Sequence, residues 1–311
     1  MLRALRFIGS SLKRRIIRVI YRLRINFMEL ISTSGLIGGE IKGLNLSQDI
    51  SNGSFEKVKN FFYERSVVTL RNQSIDAKDF LAFGKLFGEP DQHFLTHYAH
   101  PEHEKILVLS NIRKEGKLQG FADAGRVWHS DGSYMQEPIG VTMLYSLEVP
   151  IENGQALGDT QFSSAWAAYN DLSAYTKQKI DGLKAIHQVG GRRRKIGTGE
   201  KSDREQEDAQ PEAIHPIVRI HPITSRKYIF VSKGECTSVL EMEEEAGLQL
   251  INELAEGMKN SNFQYVHSWK VGDILLWDNQ AVQHIANHDY EWPKHRRKMF
   301  RITIPEKNMF S

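Results

Sequence analysis

The sequence predicts an α+β, mostly β protein whose core is a double-stranded β-helix, or jelly-roll, with helices packed around it. Three observations lead there. Short strand-like segments outnumber the helical ones, the chain closes on strands, and no internal repeat points to a solenoid or propeller. With 311 residues, 40% hydrophobic and 25% charged, the chain can bury one large core without staples. Its single cysteine, Cys236, excludes a disulfide framework and any cysteine-based metal cluster, so a bound metal must rest on histidine and carboxylate.

Residues 1–28 carry eight Lys/Arg and no acid, and Leu5, Ile8, Leu12, Ile16, Val19, Leu23 and Phe27 recur at helical steps. This is a basic amphipathic helix too interrupted by charge to span a bilayer. It suits peripheral contact with an anionic membrane surface, or organelle targeting. Without those eight bases the net charge of +3 becomes 33 bases against 38 acids, which argues against nucleic acid as a partner.

From Glu29 the composition is that of a folded domain, 29–311. Gly38 to Leu46 alternates like a strand with turn glycines, Phe55 to Arg65 reads as a helix, and Ser66 to Leu70 as a buried strand. Asp76 to Phe87 is a helix stopped by Gly88 and Pro90. His93, His97, His100 and His103 follow, but Pro101 interrupts them and no local carboxylate completes a zinc site. Ile106 to Asn111 is a strand, and Arg113 to Gly125 a loop.

Trp128 to Tyr134 reads as a strand, which would turn His129 and Asp131 to one face. Val141 to Val149 is a strand, Pro150 to Asp159 a loop, and Ser164 to Ala174 a helix. The polar, mostly acidic stretch 190–213 lacks apolar periodicity and is expected to be a mobile loop or lid. Two strands over Ile214 to Val231, a helix over Glu241 to Met258, and strands at Phe263 to Trp269, Asp273 to Trp277 and Lys298 to Ile304 complete the domain.

An imidazole and a carboxylate two residues apart, joined by a distant imidazole, make the facial triad that holds non-haem Fe(II) with open positions. His284, which follows the strand ending at Trp277, supplies a third ligand to His129 and Asp131. Arg297 and Arg301 lie four apart on the final strand and share a face. Two inward guanidiniums beside a metal suit a dicarboxylate that chelates the metal at one end, and 2-oxoglutarate fits that description.

The order of motifs resembles the taurine dioxygenase (TauD/TfdA) family of Fe(II)/2-oxoglutarate-dependent dioxygenases from about Glu29 to Ile304. The matching segments are Gly39 to Leu44, Phe87-Gly88-Glu89, Trp128 to Asp131, Gly158-Asp159-Thr160, His215 to Pro222, Trp277-Asp278-Asn279 with Gln283-His284, and Arg297 with Arg301. The resemblance implies that His129, Asp131 and His284 hold iron. It implies that Thr160 and Arg297 hold the far carboxylate of 2-oxoglutarate, with Arg301 near its chelating end and near the substrate. Fe(II) is then the cofactor, and 2-oxoglutarate and O2 the co-substrates. Hydroxylation with release of succinate and CO2 is the expected outcome, with desaturation or cyclisation as the alternative. Halogenating relatives carry a small residue in place of Asp131, so chlorination is disfavoured.

Two departures bear on the substrate. An insertion of about three or four residues precedes Thr160, and Glu235 stands where the taurine enzyme has an apolar residue. His93, Asn111, Gly132, Glu235 and Arg301 are the candidate substrate-binding residues; Glu235, if it faces inward, would suit an amine. A small-molecule substrate is the expected partner, a homo-oligomer is allowed, and the expected location is cytoplasmic, with residues 1–28 at a membrane surface or directing the chain to an organelle. The rival readings are a metal-binding sensor without turnover and a zinc hydrolase, which would leave the two strand arginines without a purpose.

Overall fold

The computed structural model describes residues 28–191 and 201–309, so the basic segment 1–28 lies, but for Met28, outside the described residues. Ten strands matter for the site: β1 (Glu29–Ser32), β2 (Gly39–Lys42), β3 (Val67–Leu70), β4 (His103–Ser110), β5 (Ile139–Glu148), β6 (Thr160–Ser164), β7 (Gln264–His267), β8 (Ile274–Asp278), β9 (Val282–Ala286) and β10 (Lys298–Pro305). The major sheet runs β1-β2-β3-β8-β5-β10-β4, with the two-residue strand Ala99–His100 at its edge. Only the β2–β3 pair is parallel. The minor sheet is β7-β6-β9.

The alternation of side chains sorts the major sheet into two faces. On one face Val141, Met143, Tyr145, Ile274, Leu276, Phe300 and Ile302 join the helices α1 (Asn52–Arg65) and α2 (Ala77–Lys85) in an outer core. On the other, Leu144, Leu275, Trp277 and Met299 meet Phe162 and Val282 of the minor sheet. Both faces are buried, so these strands read as continuous apolar runs. The interior residues are each buried for about 1.5–3 kcal/mol of hydrophobic stabilisation. Arg301 shares the inward face with Met299, but Arg297 precedes β10 and a register irregularity follows at Lys298/Met299, so the expected placement of both arginines on one strand face holds only for Arg301.

Helices end where their chemistry says they should. Ser51 caps α1, its side chain accepting from the Ser54 N–H, and Asp76 caps α2 by accepting from Asp79 N–H. A satellite core forms under α3 (Ala165–Asp171), α4 (Ala174–Ile180) and α6 (Glu244–Gly257), with Tyr228, Phe230, Leu250 and Ile251 at its centre.

Three expectations change. Trp128 to Tyr134 is not a strand: His129 makes a single bridge and 131–134 is a turn, with Gly132 at φ +63°. The insertion before Thr160 is a small hairpin, Ile151–Glu152 paired with Gln155–Ala156. Its turn is Asn153-Gly154, both at positive φ, the chemistry that a two-residue hairpin favours. Within 190–213, Lys201–Asp208 is a helix, α5, while 192–200 lie outside the described residues.

Among the described residues no helix is long and apolar enough to cross a membrane.

Candidate metal and oxoacid site

The main chain brings two imidazoles together before any side chain is considered. His129 N–H donates to His284 O at 3.1 Å and His284 N–H donates to His129 O at 2.9 Å. The two rings sit 4.2 Å apart, with Phe162 stacked on His284 at 5.8 Å and Trp277 at 4.7 Å. His129 Nδ1 donates to Val127 O at 2.7 Å, which leaves Nε2 with its lone pair. That Nε2 lies 3.4 Å from Asp131 Oδ1, and His284 Nε2 lies 3.8 Å from Oδ2. Three buried donors, two nitrogens and one oxygen, thus lie within 4.8 Å of one another. This is the donor set and convergence that a non-haem iron site requires, so the residues fit the metal. The shared face comes from the His129–His284 bridge and the turn after it, not from strand alternation.

Asp131 is held as a carboxylate. Burial alone would raise its pKa, but Arg301, His284 and His129 outweigh it and hold it well below the usual range. Arg301 Nη2 donates to Oδ1 at 2.8 Å and Thr142 Oγ1 to Oδ2 at 2.7 Å. Burial, then the neighbouring His129, pushes His284 down to about 3, so at neutral pH it presents a lone pair.

A cavity of about 410 Å3 opens on this triad, lined also by Leu109, Leu144, Thr160, Ala286, Arg297 and Arg301. Arg297 is 6% exposed and its Nε has no hydrogen-bond partner, while Nη1 donates to Tyr290 Oη at 3.4 Å. An unpartnered guanidinium nitrogen buried in a cavity calls for an anion. Thr160 Oγ1 accepts from Trp269 Nε1 at 3.0 Å, which leaves its own hydrogen for a ligand. Gly158 keeps Tyr290 close: a Cβ there would stand 2.9 Å from that ring.

A second cavity of about 460 Å3 also reaches His129 and Asp131 and is lined by His93, Phe94, Gly132, Tyr134, Glu207, Glu235 and Arg301. Glu235 faces it, is 2% exposed, and accepts from Ser133 Oγ at 2.5 Å. Burial, then Arg301, lowers His93 to about 3, so it is a neutral hydrogen-bonding group. Beyond His93, Phe94, Gly132, Tyr134 and Arg301 lies a further chamber of about 580 Å3 that reaches Asp91, Gln210 and Thr303.

Two candidates have ties of their own. Asn111 lines none of these cavities; its amide donates to His295 O at 2.9 Å and its Oδ1 accepts from Arg297 N–H at 2.9 Å, so it fixes the backbone that carries Arg297. Gly132 lines the substrate side, but a Cβ there would come within 2.5 Å of Ile139 in a left-handed backbone. A larger residue would therefore disturb the turn carrying Asp131 as well as the substrate's space.

The other three histidines of the run that begins at His93 are engaged elsewhere. His97 Nε2 lies 2.9 Å from Asp203 Oδ1, Tyr98 Oη donates to Asp203 Oδ2 at 3.2 Å, and His100 stacks on His103 at 5.3 Å. Asp203, 3% exposed, thereby ties α5 to the wall of the substrate cavity, to which the same helix contributes Glu207. Sequence reasoning missed Thr142, Ser133, Asp203 and Glu207. Asn279, whose amide accepts from Asp131 N–H and donates to Thr142, was also missed as a contact, though it carried a signal as part of the Trp277-Asp278-Asn279 segment.

The profile of the family described as "Taurine catabolism dioxygenase TauD, TfdA family" matches residues 30–303. An alpha-ketoglutarate-dependent 2,4-dichlorophenoxyacetate dioxygenase from Burkholderia sp. (strain RASC) is 32% identical over 261 residues, 80% of this chain and 85% of that protein. Pentalenolactone F synthase of Streptomyces arenae is 27% identical over 277 residues, 86% of this chain and 91% of that protein. Among solved structures, AAD-2 in complex with Mn(II) and N-oxalylglycine superposes with a TM-score of 0.73 at 25% identity, covering 89% of this chain and 96% of that one.

Proposed function

The chain belongs to the taurine catabolism dioxygenase TauD, TfdA family and is a 2-oxoglutarate-dependent dioxygenase; on that premise we propose that His129, Asp131 and His284 hold its Fe(II) and that it hydroxylates a small polar or anionic substrate. The observation that carries this reading is the pairing, in one cavity, of three convergent donors with Arg297, whose buried Nε lacks a partner. When bound, Fe(II) with 2-oxoglutarate and O2 supplies an oxidant able to take hydrogen from a substrate C–H bond, 2-oxoglutarate leaving as succinate and CO2.

The protein's own residues do the rest. Arg297 receives the far carboxylate of 2-oxoglutarate through its guanidinium, and the Thr160 hydroxyl donates to the same group. Leu109, Leu144 and Ala286 keep the cavity dry around it. Arg301, reaching both cavities, and neutral His93 orient an anionic group of the substrate, while Glu235 accepts from a donor such as an amine at the opposite side. Orientation of the C–H bond by these contacts decides between hydroxylation and the alternative outcomes, desaturation or cyclisation.

Succinate formation from 2-oxoglutarate with Fe(II) and O2, lost in His129→Ala, is the expected result. Metal binding without succinate, with or without any organic anion, would favour the sensor reading and overturn this one. For residues 1–28 the reading is contact with an anionic membrane surface. Co-sedimentation with phosphatidylserine-containing liposomes should fall when residues 1–28 are deleted, and equal sedimentation would refute it.

A further inference from the structure

We propose that Thr142 and Asn279 form a directional hydrogen-bond relay that positions Asp131 for the metal, an inference that rests on the reading of Asp131 as an iron ligand. Asn279 fixes the direction. Asp131 N–H and Trp277 Nε1–H, neither able to accept, both point at one atom of its amide, at 3.1 Å and 3.0 Å, so that atom is the oxygen. The other atom is then the nitrogen, and it donates to Thr142 Oγ1 at 2.9 Å. With that lone pair engaged, the Thr142 hydroxyl hydrogen is turned to Asp131 Oδ2, 2.7 Å away.

All the groups involved are out of water: Thr142 is 0% exposed, Asn279 and Trp277 2%, and Asp131 7%. No solvent molecule competes for the hydroxyl, so the relay has one polarity. Thr142 and Trp277 are themselves register partners on β5 and β8, at the centre of the major sheet. The consequence is that one amide holds both the main chain and, through Thr142, the side chain of the ligand. The carboxylate cannot rotate without breaking its bond from Thr142. Removing such an outer partner typically weakens metal binding by about 10–100-fold.

The test is Mn(II) affinity, read from the free-ion resonance signal during titration of the full-length metal-free protein, without 2-oxoglutarate. Thr142→Val keeps the shape and removes the hydroxyl; it should weaken Mn(II) by about 10–100-fold, with the melting temperature checked on the same sample. Thr142→Ser should restore affinity to within about twofold, which a packing role for the threonine methyl would not do. Asn279→Asp keeps an acceptor for Asp131 and Trp277 but offers Thr142 a second acceptor in place of a donor. It should turn the hydroxyl away and lose affinity as Thr142→Val does, with little added loss in the double variant. Wild-type affinity in Thr142→Val, or fully additive losses, would overturn the relay. Mn(II) binding that survives His129→Ala would instead overturn the assignment of the triad.

Discussion

On the metal side of the cleft, most functional side chains hang from a strand or from a bridge to one: His284 on β9, Thr160 on β6, Arg301 on β10, and His129 bridged to His284, with Asp131 in the turn after that bridge and Arg297 just before β10. On the substrate side, His93, Tyr134 and Glu235 come from loops, and Glu207 from a helix of eight residues with no buried apolar face. The metal side is held by main-chain ladders and two apolar layers, the substrate side by a few polar contacts such as Ser133 to Glu235 and Asp203 to His97. The difference teaches which wall can vary: a change in the first disturbs the sheet, and a change in the second disturbs one contact.

The sharpest way to break this contrast is on the metal side. His284→Ala removes a proposed ligand and a ring packed between Phe162 and Trp277, and should lower succinate formation by at least about 10^3-fold. Retained turnover would show that the triad does not bind the metal. Arg297→Met should act on the co-substrate alone, raising its KM by about 10^2-fold with a smaller fall in kcat, since stranding a buried carboxylate costs about 2–5 kcal/mol. A change in substrate KM of the same size would blur the two walls.

Glu235→Gln keeps the shape and removes the charge. It should shift the KM of an amine-bearing substrate by about tenfold and leave that for 2-oxoglutarate unchanged. The smallest effect is expected at Asp203→Asn, which weakens the tie between α5 and His97. Proteolysis within 201–210 should quicken several-fold while the melting temperature moves by less than about 2 °C, because little apolar surface is released. A large drop in melting temperature would mean that α5 belongs to the core after all.

The same contrast explains what could be read from the sequence. His129, Asp131 and His284 stand out in the sequence because a metal site demands those residue types, and Arg297 and Arg301 because a dicarboxylate demands guanidiniums, whereas Thr160 follows only from the family resemblance. The strand assigned to Trp128–Tyr134 failed because Gly132 needs a left-handed backbone, which the alternation pattern hides. The helix α5 was invisible because its sequence, KSDREQED, has no apolar stripe, and one buried carboxylate ties it down. Asn111 looked like a substrate contact, yet both ends of its amide go to backbone, a role no local pattern signals. Thr142 and Asn279 are far apart in sequence and meet only through the register of β5 and β8.

The paired main-chain bonds between His129 and His284 have a consequence for assembly. They close a long chain segment, and the entropy of that closure is met by folding rather than by the ion. On the proposed reading the metal meets a preorganised cup, unlike the small zinc domains that fold only around their ion. Iron would, on that reading, leave and return without unfolding, and the amides of these two histidines should stay protected from hydrogen exchange in the metal-free state.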